Sequence, residues 1–223
     1  MPVELDLFAG KDIRSEHFEM ISEMPVKRMV FDIGFEAKGI YCPGFEKLQQ
    51  LDSLTLRFHS QAFLKDIAKL ENLEYLELEL FHVDTSIKER PDFNYLKKLR
   101  ITLSRLENLS CVFGSLPALK QLDFTKNDMK LNLFSSMPLL NNSPLELLCI
   151  ALTPLDTTGL NTISFPYLRK LILFGTEKNI NHSQFILNCP KLELLDFTGC
   201  GMTKEYTEKL QERFPGIKIS RDY

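Results

Sequence analysis

The chain is poor in everything that a catalytic or nucleic-acid-binding protein usually advertises. Its 223 residues carry a formal charge of only -3, with 27 Lys and Arg against 30 Asp and Glu, and no basic run. Phosphate binding needs concentrated cations, so a nucleic-acid groove is disfavoured. No apolar run is long enough to span a bilayer, and the opening "MPVELDLFAG" lacks the basic and apolar regions of a signal peptide. The cysteines number five, an odd and scattered set of Cys42, Cys111, Cys149, Cys189 and Cys200. Free thiols in a reducing compartment fit that set better than a disulfide framework. The expected location is intracellular and cytoplasmic, with the nucleus left open, and Asn-x-Ser at Asn108, Asn141 and Asn181 then has no meaning as a glycan site. There is no phosphate-binding glycine loop, no nucleophile elbow, no H-E-x-x-H and no C-x-x-C, so the cheap enzyme hypotheses fall away.

What the sequence does have is a repeat. The template L-x-x-L-x-L recurs as "LDSLTL" from Leu51, "LEYLEL" from Leu73, "LKKLRI" from Leu96, "LKQLDF" from Leu119, "LELLCI" from Leu145, "LRKLIL" from Leu168 and "LELLDF" from Leu192. "VKRMVF" from Val26 is a looser copy, and partial units begin at Pro2 and Ile217. The steps between starts are 24, 25, 22, 23, 23, 26, 23, 24 and 25 residues. All twenty-four slots of the eight full copies hold Leu, Ile, Val, Met or Phe, against a 44% apolar background. Slots at positions one, four and six suit a short extended segment entered by a turn, its last two slots alternating inward. Between the copies run stretches of helical spacing, such as "SQAFLKDIAKLEN", where Phe63, Ile67 and Leu70 share a face. Six prolines (Pro25, Pro117, Pro144, Pro166, Pro190 and Pro215) stand one or two residues before a copy, where they stop a helix and favour extended backbone.

The period is that of leucine-rich repeats. The unit containing Cys189, Pro190, Leu192, Leu195, Phe197, Cys200, Thr203 and Leu210 resembles the cysteine-containing leucine-rich repeat of F-box receptors and ribonuclease-inhibitor-like proteins. Elsewhere the slot of Cys200 holds His59, Phe81, Ser104, Asn127, Thr153 or Thr176, so the middle units are similar to the generic class. The expected fold is α/β: one leucine-rich-repeat domain over residues 1–223, a horseshoe-like solenoid of about ten repeats with a parallel sheet on its concave face. In such repeats the ninth residue turns inward as the chain leaves the strand, and a small polar side chain there bonds backbone groups that would otherwise be buried unpaired. Cys200 is expected in that structural role, with Cys189 packed at the opposite corner.

Metal and catalytic readings carry little weight. His59 and His82 follow neighbouring strands, but the only further ligand nearby is Asp84. Cys149 falls in an outward slot with no histidine beside it. What remains is surface. Positions three, five and seven of each copy face outward, and through the early and middle units they are polar and mixed in sign, including Arg57, Glu77, Glu79 and Arg100. Later units add Leu147, Ile172, Phe174 and Leu194, with Lys170 among them, an apolar patch beside a polar field. Such a surface fits a protein-binding site. The competing readings are that the carboxy-terminal segment covers the patch, or that the frame is shifted by one and these side chains are core.

The expected function is therefore non-enzymatic binding of a protein partner on the concave face, without cofactor, metal, nucleic acid or membrane. The resemblance adds an alternative, a substrate-recognition or adaptor subunit of a ubiquitin ligase, or a bacterial effector imitating one in a host cytosol; the chain shows no helical F-box. A third class is an enzyme regulator, such as a nuclease inhibitor or a GTPase activator using Arg57 or Arg100. The first strand also leaves a parallel edge open to self-association, guarded only by Glu4 and Asp6.

Overall fold

In a computed structural model, the described residues are 3–8, 13–34, 43–57, 61–81, 83–84, 86–156, 158–159, 162–176 and 182–221. The readings made on Cys42, His59 and His82 lie outside them.

The copies become strands of one parallel sheet laid down in chain order. They are β1 (Val3–Phe8), β2 (Val26–Asp32), β3 (Ser53–Arg57), β4 (Tyr75–Glu79), β5 (Lys98–Thr102) and β6 (Gln121–Thr125). After β7 (Leu131–Asn132) come β8 (Leu147–Ala151), β9 (Leu155–Asp156), β10 (Lys170–Ile172), β11 (Leu194–Asp196) and β12 (Lys218–Ser220). Ten of these form the main sheet, and β7 and β9 pair as a separate two-stranded parallel ribbon. The fold is thus α/β and solenoid-like: each strand lies beside the previous copy, with helices or turns between.

The register explains the repeat. Leu54, Leu76, Leu99, Leu122 and Leu148 stand directly opposite one another across successive strands, as do Leu56, Leu78, Ile101, Phe124 and Ile150. All twenty-four template slots are buried, none more than 6% exposed. At roughly 1.5–3 kcal/mol for each buried aliphatic or aromatic side chain, these columns supply the main driving force. One expectation shifts: Ile219 pairs with Leu195, so the last unit begins at Gly216 rather than Ile217, because the buried column decides the register.

The other side of the core is closed by α1 (Ser15–Ser22), α2 (Leu64–Ile67), α3 (Leu133–Leu140), α4 (His182–Leu187) and α5 (Lys204–Arg213), with short 3-10 turns at Phe45–Lys47, Gln61–Phe63 and Leu109–Cys111. Phe63, Ile67 and Leu70 are buried together as their spacing indicates. Thr203 caps α5, its Oγ1 accepting the Tyr206 N–H at 3.2 Å, and Leu210 is buried one helix face later. Near the amino-terminal side Phe18, Phe31, Phe45 and Phe63 interlock, with ring centroids 4.7 to 6.5 Å apart.

Where β4, β5, β6, β8, β10 and β11 end, the chain turns into the core by one device. The eighth position is left-handed, with φ of 53° at Leu80, 51° at Leu103, 55° at Lys126, 49° at Leu152, 62° at Gly175 and 75° at Gly199. Its N–H donates to the seventh-position carbonyl of the next unit: Leu80 to Thr102, Leu103 to Thr125, Lys126 to Ala151, Leu152 to Phe174 and Gly175 to Thr198. The ninth N–H then points inward, beyond the sheet's reach, and the next unit's ninth side chain receives it. Phe81 N–H donates to Ser104 Oγ at 2.9 Å, Ser104 N–H to Asn127 Oδ1 at 2.9 Å, and Asn127 N–H to Thr153 Oγ1 at 3.2 Å. Asn127 Nδ2 also donates to the Ile101 carbonyl at 3.0 Å. Cys200 is buried in this series, its thiol donating to the Leu173 carbonyl, with Thr176 Oγ1 3.5 Å away. Cys189 is buried just before its strand, as expected.

Two stability changes follow. Asn127→Leu leaves the buried Ser104 N–H without a partner and takes a second donor from the Ile101 carbonyl, and should cost about 1–3 kcal/mol, read as a lower urea midpoint at unchanged slope. Lys126→Gly removes a side chain from a left-handed position that costs it about 1–2 kcal/mol, offset in part by glycine's chain entropy. The urea midpoint should rise by the equivalent of about 0.5 kcal/mol.

Candidate functional site

Positions three, five and seven lie on the sheet face opposite the core, so the frame is not shifted. The polar half of this face is a set of in-register charge rows. In the seventh row Arg57 stands between Asp32 and Glu79, and its Nε is 2.7 Å from Glu79 Oε2. In the fifth row Arg100 stands between Glu77 and Asp123, with Nε 3.7 Å from Glu77 Oε1 and 3.5 Å from Asp123 Oδ2. Tyr75 Oη donates to Glu77 Oε2 at 2.9 Å, and Thr125 Oγ1 to Asp123 Oδ1 at 2.6 Å.

These neighbours set the titration behaviour. The hydrogen bond that Arg57 donates to Glu79 raises the arginine's pKa above its usual value. Burial pulls Arg100 down, but the charges of Asp123 and Glu77 outweigh it and raise that pKa too. Both guanidiniums are held against the sheet by carboxylates rather than projecting from a loop, which is poor geometry for an arginine delivered to a transition state.

The carboxy-terminal half of the face differs. Leu147, Lys170 and Leu194 are neighbours in the third row, Cys149, Ile172 and Asp196 in the fifth. Phe174 follows β10 and is 37% exposed; Leu152 beside it is 46% exposed. Leu147, Ile172 and Leu194 are half-buried by their neighbours. The site residues read from the sequence are thus brought onto one surface, with Lys170 interrupting the apolar ones. The segment after β11 continues the array: α5 follows, and β12 pairs with β11. Through Arg221 it does not fold back over the patch.

Sequence reasoning missed two exposed leucines. Leu152 and Leu103, 43% exposed, are both eighth-position residues. Leu152 extends the apolar surface along the rim beside Phe174, whereas Leu103 lies two strands away beyond Lys126, and the two glycines at the same register, Gly175 and Gly199, were the available signal. A side chain at Gly175 would collide with Leu152, 2.7 Å from the ideal Cβ position.

The surroundings of Cys149 disfavour its thiolate. Burial, then the adjacent Asp123 charge, push its thiol from an ordinary 9.0 up to about 12, and the thiolate is the reactive form. Among the described residues no cluster of His, Cys, Asp or Glu could hold a metal ion, and no helix is long and apolar enough to cross a membrane. No protein-family model matches the chain, and no curated protein sequence matches it.

Native Cys149 should therefore react with iodoacetamide at pH 8 at least on the order of 100-fold more slowly than in the urea-unfolded chain, measured by mass spectrometry. Tyr75 is likewise raised to about 12, by burial and then by its bond to Glu77. Groups with raised acid pKa values stabilise the fold below their unfolded pKa and lose that contribution as pH climbs to the folded one. Unfolding free energy should accordingly decline from about pH 9 towards pH 12.

Proposed function

We propose that the chain is a leucine-rich-repeat solenoid, one domain whose sheet lines the concave side of a horseshoe, and that it works as a non-enzymatic module binding a protein partner on that face. The support for the family is the 22-to-26-residue period, the buried slots and the inward ninth side chains. The observation that carries the function is the contrast between the two halves of the face. Around Arg57, Glu77, Glu79 and Arg100 charges satisfy one another in register, whereas Leu147, Ile172, Phe174 and Leu194 present apolar side chains with no segment of the described chain over them.

Hot spots in protein interfaces are apolar or aromatic anchors set in a polar surround. Here Ile172 and Phe174 are the anchors, and Lys170 and the paired charges form the rim, setting orientation more than affinity. The rigid sheet holds the anchors at fixed spacing, so little ordering cost is added on binding.

The variant Ile172→Asp with Phe174→Asp should keep a cooperative thermal transition, because both side chains lie outside the core. Proteins captured from a lysate of the source cell by the wild type should be lost from the folded variant. An identical set from both proteins would refute the concave-face reading, and loss of the cooperative transition would show the two positions to be core.

A further inference from the structure

The fifth row of the apolar half has a pattern of its own. Asp123 on β6, Cys149 on β8, Ile172 on β10 and Asp196 on β11 are successive register partners. Three strand spacings of about 4.8 Å put the two carboxylates roughly 14 Å apart, with two apolar side chains between them. Both aspartates are pinned alike: Thr125 Oγ1 donates to Asp123 Oδ1 at 2.6 Å, and Thr198 Oγ1 to Asp196 Oδ1 at 2.6 Å, joined there by the Thr198 N–H at 2.9 Å. Each has its second oxygen outside these bonds. Asp123 shares Arg100 with Glu77, leaving one net negative charge among the three, and Asp196 forms no ion pair among the described residues. The cations one row away are Lys170, between Leu147 and Leu194, and Lys218, beyond Leu194 on β12, both likewise without an ion pair among the described residues.

An extended segment advances about 3.4 Å per residue and turns every second side chain to the same side, so residues i, i+2 and i+4 cover about 14 Å of one face. On an α-helix the same i to i+4 step brings side chains within about 6 Å, too short for this row. Resting on the docking reading above, we propose that the row receives an extended protein segment crossing the strands, of the pattern basic-x-apolar-x-basic. Its cations pair with Asp123 and Asp196, and its central side chain settles between Cys149 and Ile172 against Leu147, Leu194 and Phe174. The oriented carboxylates accept charge-assisted hydrogen bonds over an apolar floor, where such bonds are stronger than in open water. An acidic segment meets repulsion at both ends.

The test is selection of random displayed peptides on three folded proteins: the wild type, Asp123→Asn with Asp196→Asn, and Ile172→Asp with Phe174→Asp. Wild-type selections should be enriched in Lys or Arg at i and i+4 around a Leu, Ile, Met or Phe. A synthetic peptide of that pattern should bind the asparagine variant roughly tenfold more weakly. Asp196→Asn alone, which leaves Arg100 undisturbed, should show part of that loss, and Lys170→Glu should tighten binding. Peptides without the basic pair that bind the asparagine variant equally well, yet fail on the Ile172 and Phe174 variant, would overturn the basic pattern and leave the docking reading standing. Peptides indifferent to every variant, or no enrichment at all, would overturn both.

Discussion

The structure depends on how a parallel strand can be left without burying an unpaired amide. A strand of five residues ends against the core, and the next peptide N–H must turn inward, where water cannot reach it. An orphaned buried donor costs about 1–3 kcal/mol, and an array repeats that cost in every unit. The chain meets it with a pair of adjacent residues. The eighth adopts a left-handed conformation so that its own N–H still reaches the neighbouring strand. The ninth offers Ser104, Asn127 or Thr153 as a substitute acceptor for the unit before it. The apolar columns supply most of the stabilisation, but this corner is what lets them stack with constant register.

Much of the fold was legible because the constraint is periodic. Leu at slots one, four and six, Pro just before the strand and a small polar residue at position nine each answer a local requirement, and repetition turns weak signals into one pattern. The last unit was placed one residue late because Ile217 and Ile219 both look like slot residues and only pairing with Leu195 distinguishes them. The left-handed eighth position, marked only by Gly175 and Gly199, escaped for a different reason. At Leu80, Leu103, Lys126 and Leu152 the backbone is forced by its surroundings, and a residue that would avoid this conformation is held in it by tertiary hydrogen bonds.

For the candidate site, the sequence showed which side chains share a face but not which of them are occupied with one another. Arg57 and Arg100 read as free charges until strand pairing sets them beside Glu79, Glu77 and Asp123. Within the sheet face, register therefore decides whether a charge is available. The parallel alignment that stacks the leucines also aligns opposite charges across the early strands, and sets apolar residues between Asp123 and Asp196 across the later ones.

The ladder of ninth side chains also has a direction. Asn127 serves the amide of Ser104 and the carbonyl of Ile101, both in the unit before its own, and Thr153 serves the amide of Asn127. Each corner is completed by residues some two dozen positions later in the chain. During synthesis a unit emerging from the ribosome therefore has its leucines before it has the acceptor for its own buried amide. It closes only when its successor follows, so the growing array always trails one unfinished turn at its newest end.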